Sequence, residues 1–399
     1  FIASFSQWFG LSIVIGVISY IIVPFIRDVF FNLGFINISD FLEVGSVRLT
    51  ISLLLIWFFV LINIVGGKVY KNTLIPMLVI MFVLGSIVLI TGLVYDQNDF
   101  INSVLNSENR VIEPTSNIKF DWKIFLTAAT LMFSSFIGFD AIAQTGNEAK
   151  NPTKNIPRAI LLAIFIVASY YILFTISVYN IVPWSFVADE SITKDITAPG
   201  LLSYVLPPFW GILIIIGAAI ALINDLPAMI LSVSRLMFAW AKDNIFPNRV
   251  ALIHSKFNTP YIAIILVGVV ASIGAIGSHF AGDFFLGIDI MVTSMMINFL
   301  LMCVTLISIQ KVNFKLFKNI TVIKNRAIQL FIGYTGTLII LTFLIIHTYK
   351  DLSSNVEEWY FHSTYIYLIV MIIASIYFVL RWKTVKVKNN NTFKTLPVE

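Results

Sequence analysis

Ten apolar runs of membrane-crossing length divide this chain, and nothing else in it constrains the fold as tightly. The hydrocarbon core of a bilayer is about 30 Å thick and takes roughly 20 helical residues to cross. Runs of that kind lie at about 1–26, 49–66, 74–95, 122–147, 159–182, 208–235, 260–279, 284–309, 328–347 and 360–380. Each is bounded by charges or by clusters of Pro, Gly and Asn. Ile51–Val65, ISLLLIWFFVLINIV, lacks the polar face that a helix packed on a soluble core would show. Only 12% of the residues are charged, against about a quarter in soluble domains. The expected fold is all-α: a polytopic transmembrane helix bundle forming one domain over 1–382, with a disordered basic tail at 383–399.

The basic residues set an orientation. Nineteen of the 26 Lys and Arg fall in or beside the loops after the second, fourth, sixth, eighth and tenth runs. The opposite side carries most of the acids, including Asp96, Asp99, Glu108, Asp189 and Glu190. By the positive-inside rule the basic side, with the C-terminus, is cytoplasmic and the protein is a multi-pass cell-membrane protein. That placement accounts for the net charge of +5 without a nucleic-acid partner.

Other chemistries lack their residues. The single cysteine, Cys303, makes no intrachain disulfide, and the four histidines are scattered without metal-ligand spacing. There is no G-x-S-x-G, H-E-x-x-H or phosphate-cradling Gly loop, so neither an enzyme nor a cofactor is expected. Because the chain opens at Phe1 inside an apolar run, a signal peptide cannot be judged and the numbered sequence is expected to lack its true N-terminus.

The run at 122–147 turns polar partway, at Gly138, Asp140, Gln144, Thr145 and Asn147, then enters a proline-punctuated basic loop. A helix in lipid cannot leave backbone groups unpaired, so a Gly followed by a carboxylate there reads either as a break lining a cavity or as an early end near the interface. Phe136–Asp140 with Glu148–Ile160, F-I-G-F-D…E-x-K-N-P-x-x-N-I-P-R-A-I, closely resembles the sixth helix and following loop of amino acid permeases of the APC (amino acid–polyamine–organocation) superfamily. Three further segments resemble the same family in order. Asn63–Lys68 is similar to the turn between its fourth and fifth helices, Ser234–Pro247 to the end of its eighth, and His254–Tyr261 to the entry of its ninth.

The resemblance implies a leucine-transporter-like inverted-repeat fold with substrate held near the midplane between two broken helices. On this register 1–95 is the remainder of the first repeat, 122–309 the complete second repeat and 328–382 two peripheral helices. The family's first two helices have no counterpart, so the first repeat is incomplete. The resemblance also implies that Ser134, Phe136, Ile137, Gly138, Phe139 and Asp140 bind substrate, with the Ile137 carbonyl and its neighbours facing an amino group. Two positions depart from relatives. Met81 stands where proton-coupled relatives carry a Lys, and Ser134 where many carry a large aromatic.

Three carboxylates lie inside the runs, Asp140, Asp225 and Asp289, and intramembrane ionisable groups are functional candidates. Asp225 in ALINDLPAMI has two readings. Asn224 and Asp225 satisfy groups freed by a Pro227 kink, or they join Asp140 as the coupling-ion site. Asp289 stands near the start of its run, at the interface. The expected function is secondary active transport of an amino acid or related amine by alternating access. It is either an exchange or coupled to a proton or sodium, with the proton favoured. The competing reading is a non-transporting membrane sensor or an inactive scaffold of the same fold. A metal-ion transporter is disfavoured, since no His or Met–His pairing occurs near the break.

Overall fold

The computed structural model describes residues 1–112, 120–144, 150–192, 196–281, 285–318, 320, 322–356 and 358–388. Thr145 and Asn147, and the tail from 389 onward, lie outside the described residues.

Among the described residues every regular element is helical, and ten helices are long and apolar enough to cross a membrane. They are α1 (Ile2–Asn32), α2 (Gly45–Val65), α3 (Gly67–Val94), α4 (Trp122–Met132, extended by shorter segments to Gln144), α5 (Pro152–Ile181), α6 (Pro208–Lys242), α7 (Tyr261–Ala281), α8 (Phe285–Val312), α9 (Arg326–Ser353) and α10 (Ser363–Lys388). Each coincides with one of the ten apolar runs, as expected for backbone that must satisfy its own hydrogen bonds in lipid. The helices overrun the runs by up to two turns, because polar residues at the interface continue a helix that hydropathy alone truncates. α10 continues to Lys388, past the point where the tail was expected to begin.

α1 is the centre of the bundle. Its residues from Phe5 to Val23 are mostly buried, and it packs against α6, α7 and α8. Two glycines make the α1–α7 contact possible. A Cβ built on Gly16 would lie 2.0 Å from the Ala271 carbonyl oxygen, and one on Gly274 would lie 2.3 Å from that of Ile13. Small residues at such a crossing let backbones approach directly, the usual way apolar helices gain contact in a lipid solvent. α9 and α10 pack on α8 at one side of the bundle, and α9 also touches α4.

The loops sort by side. Arg110 pairs with Glu190, and the Tyr204 hydroxyl donates to Glu108 at 2.6 Å, joining the α3–α4 and α5–α6 connections. At the other end the Thr259 hydroxyl donates to the Ile64 carbonyl at 2.6 Å, tying the α6–α7 loop to the end of α2.

Candidate functional site

The membrane-length helix that begins at Trp122 is interrupted. Asp121 caps it through its side chain, and α-helical geometry holds to Met132. The chain then tightens into a 3-10 turn, Phe133–Phe136. Ile137 is extended (φ −73°, ψ 139°), and Gly138 has φ +125°, which side-chain-bearing residues rarely adopt. A short turn of helix, Ala141–Gln144, follows. The Gly138 and Asp140 carbonyls accept from Ala141 and Ala143, each at 3.0 Å, while the Ile137 carbonyl accepts no hydrogen bond among the described residues. The discontinuity falls on the residues where a cavity-lining break was expected.

Aromatic rings hold the broken segment in place. Phe139 stacks on Phe299 of α8 at 5.4 Å between centroids, and Phe133 meets the same ring edge-on at 5.8 Å. The Tyr171 hydroxyl of α5 donates to the Ser135 carbonyl at 2.9 Å, and its ring meets Phe136 edge-on at 5.6 Å. Two carbonyl-rich turns are thus clamped from opposite sides.

The break opens on a cavity of about 490 Å³, within the range of small-ligand sites. Ser134, Phe136, Ile137, Gly138 and Phe139 line it, facing Asp225 of α6 and Tyr171. Ser135 and Ile142 of the same segment also line it, and the rest of the wall is apolar and comes from α1, α5, α6 and α8. Among the described residues no Lys, Arg or His lines it, and Asp225 is the one carboxylate in its wall. A second cavity of about 600 Å³, which includes Met81, shares Val167, Tyr171, Leu222 and Asp225 with the first. Asp225 therefore stands in the wall common to both, and its side chain is exposed to that space.

Asp140 and Asn224 lie elsewhere. Asp140, 6% exposed, turns away from the cavity, and its Oδ2 accepts from the Nε2 of buried Gln7 on α1, while its Oδ1 has no partner among the described residues. Asn224 is 7% exposed, and its Oδ1 also lacks a partner. Successive helical residues project about 100° apart, so neighbours such as Asn224 and Asp225 face different environments. α6 passes Pro227 as one uninterrupted helix. Gln144 accepts from Ser232 of α6, which anchors the short helical turn after the break. The structure thus brings Asp225 to the break residues and leaves Asp140 behind them.

Asp289 is buried between α8 and α9. Lys350 lies 3.6 Å from its Oδ2, and the His347 ring lies 3.3 Å from its carbonyl.

Gln7 and Tyr171 were not singled out from sequence. Gln7 had a signal, an amide in an apolar run beside Ser4 and Ser6. Tyr171 had none beyond sitting next to another tyrosine in mid-helix.

An uncharacterised transporter of Mycobacterium tuberculosis is 34% identical over 152 residues, covering 38% of this chain and 33% of that protein. A branched-chain amino acid permease of Bacillus subtilis is 28% identical over 150 residues, 37% of this chain and 31% of the relative. Cationic amino acid transporter 4 of Mus musculus is 28% identical over 157 residues, 39% of this chain and 24% of the relative. The chain therefore matches about a third or less of the length of these relatives. A family model described as amino acid permease matches residues 1–374. The chain belongs to the amino acid permease family of the APC superfamily.

Proposed function

We propose that the protein is a secondary transporter that moves an amino acid or related amine by alternating access. The observation that carries this reading is the interruption at Ile137–Asp140 opening onto a cavity. An uncommitted Ile137 carbonyl and the Asp225 carboxylate are both acceptors, and both border that cavity. Acceptors without a competing side-chain cation attract an ammonium group, and the apolar remainder of the wall suits a hydrocarbon side chain. The relatives named as amino acid permeases and transporters support the same substrate class.

The coupling ion in this reading is a proton, taken up at Asp225. A sodium ion needs several hard oxygen ligands around it. Among the described residues Asn224 does not join Asp225 in either cavity wall, which leaves the carboxylate among mainly apolar neighbours. Such surroundings favour a protonated carboxyl when the space is dry and a charged one when it is wet. The basic face, with the C-terminus, is cytoplasmic and the protein resides in the cell membrane.

The test is uptake by full-length protein in sealed vesicles under separately imposed pH and sodium gradients, with radiolabelled leucine and lysine as probes. The parent accumulates at least one of them under a pH gradient. Asp225→Asn loses pH-driven accumulation and keeps exchange. Accumulation against a gradient by both Asp225→Asn and Asp140→Asn would remove these carboxylates from coupling, and a parent without uptake or exchange would sink the transport reading.

A further inference from the structure

One carboxylate faces two claims. Asp225 stands in the wall shared by the cavities of about 490 and 600 Å³, and among the described residues it is the one Asp or Glu lining either. No Lys, Arg or His lines them among the described residues. Asp225 also has no hydrogen-bond or ion-pair partner among the described residues, so its oxygens are committed to nothing in the protein. Transport as proposed above gives these oxygens both the ammonium group of the substrate and the coupling proton.

The other ionisable groups around α6 are engaged elsewhere or remote. Tyr170 and Tyr171 of α5 line the walls, and neither bears a positive charge. α1 has no charged residue before Arg27, which pairs with Asp28 and Glu43. Arg48 of α2 donates to the Tyr20 carbonyl, and His279 of α7 faces the Tyr20 hydroxyl. Asp140 is turned to Gln7, and Asp289 of α8 to Lys350. Lys71 of α3 and Arg249 of the α6–α7 loop are exposed at the basic end. On α6 itself Arg235 stands about 15 Å further along the axis.

A single carboxylate fixes the sign of the coupling. A proton on Asp225 removes the one negative charge in the wall and with it the attraction for an ammonium group. An ammonium group on the carboxylate occupies the oxygens that a proton needs. Two ligands that oppose each other do so reciprocally, by the same factor in affinity. A proton held at Asp225 therefore does not help substrate to bind; it is displaced by it. Resting on the transport reading above, we infer that the protein is an antiporter that exchanges its ammonium-bearing substrate for a proton at Asp225. Substrate binding breaks one Asp225 O–H bond, and that proton leaves to the side from which the substrate came. After the substrate departs on the other side, a proton taken from that side closes the cycle, so one proton crosses for each substrate. Lysine carries the charge of the proton it replaces, and its exchange moves no net charge. Leucine carries none overall, and its exchange moves one charge the opposite way. Where the outer space is the more acidic, the exchange carries substrate outward.

Full-length protein in sealed vesicles is assayed with radiolabelled lysine and leucine. Exchange at equal pH on both sides reads affinity without a gradient. In the parent the half-saturation constant rises about tenfold as the pH is lowered from about 7 to about 5, as for a proton competing at a buried carboxylate. In Asp225→Asn it is raised throughout and flat with pH, and Asp225→Glu keeps the rise. Under a gradient, vesicles acidic inside accumulate substrate and vesicles acidic outside do not. A potential imposed with potassium and valinomycin leaves lysine accumulation unchanged and alters that of leucine. A half-saturation constant that falls in acid, or accumulation in vesicles acidic outside, overturns antiport in favour of symport and leaves the transport reading standing. Exchange indifferent to pH in the parent overturns it as well. A parent with neither uptake nor exchange sinks the transport reading, and the antiport with it.

Discussion

Gln7 donates a hydrogen bond to Asp140 across 133 residues of sequence, and both side chains are buried where α1 meets the break. The carboxyl group inside the bundle is therefore held by a neutral amide. An amide neither neutralises a carboxylate nor competes for its proton as a lysine would. It fixes one oxygen and leaves the other open, and Asp140 Oδ1 is indeed without a partner among the described residues.

Removing the amide alone should cost more than removing both groups. Gln7→Leu strands a buried carboxyl and is expected to destabilise the protein by about 1–3 kcal/mol. Gln7→Leu combined with Asp140→Leu should recover part of that loss, because no polar group remains uncompensated. Thermal denaturation of the four proteins in one detergent closes the cycle. A double variant less stable than the sum of the singles would contradict the pairing.

Gly138 offers a cleaner separation of strain from contact. Nothing lies within 4 Å of the position a Cβ would take, so a side chain there meets open space. Its φ of +125° is the whole obstacle, worth about 1–3 kcal/mol for a residue other than glycine. Gly138→Ala should lower the melting temperature modestly while reducing substrate affinity tenfold or more, since relief of the strain redirects the Ile137 carbonyl. Unchanged affinity in a folded Gly138→Ala protein would show that the carbonyl is not a ligand.

Tyr171 is expected to act through position alone. Tyr171→Phe loses the bond to the Ser135 carbonyl but keeps the ring against Phe136. The substrate half-saturation constant should rise several-fold with the maximal rate little changed. Transport assays at varied substrate concentration separate these, and a fall in rate at unchanged half-saturation would assign Tyr171 another role.

The loops beyond the membrane carry a pH signature. Burial, and then the hydrogen bond to Glu108, push the Tyr204 phenol above its usual value of about 10. A group whose folded value is raised contributes stability fully below its unfolded value, and the contribution fades as pH climbs through the folded one. The stability difference between parent and Tyr204→Phe should be constant from pH 7 to 9 and narrow above about pH 10. A difference that widens in alkali would reverse the sign and refute the donor role of Tyr204.

Sidedness has a direct test. Single cysteines in place of Asn98 and Asn155, both exposed, should react with an impermeant thiol reagent from opposite sides of the membrane in a Cys303→Ser background. Reaction of both from outside would dismiss the orientation drawn from the basic residues.

The ten helices were legible because hydropathy and length are properties of local sequence. So was the break, where glycine and a carboxylate interrupt an otherwise apolar run. The direction of Asp140 was not. α1 is apolar on nearly every side because it is buried on nearly every side, and such a helix carries no periodic signal to show which face bears Gln7. The division of labour between Asn224 and Asp225 was half legible. About 100° of helix rotation separates their directions in any structure, but which direction opens to a cavity depends on α5, whose Tyr171 closes the same wall. Pro227 stands inside a helix that continues through it, since local backbone adjustment absorbs one missing donor.

The meeting of Gly16 with Gly274 has a mechanical consequence. Helices parted by side chains slide by switching rotamers, and here there is no such layer to switch. α1 and α7 must travel as one girder. Any rearrangement that exposes the cavity to alternate sides falls to the opposite bank, where the chain from Phe133 to Asp140 is shaped by turns instead of continuous helix. Asp140 is moored to the girder through Gln7, whereas Phe139 and Phe136 just before it rest on Phe299 of α8 and Tyr171 of α5, so the two ends of the break are held by different elements.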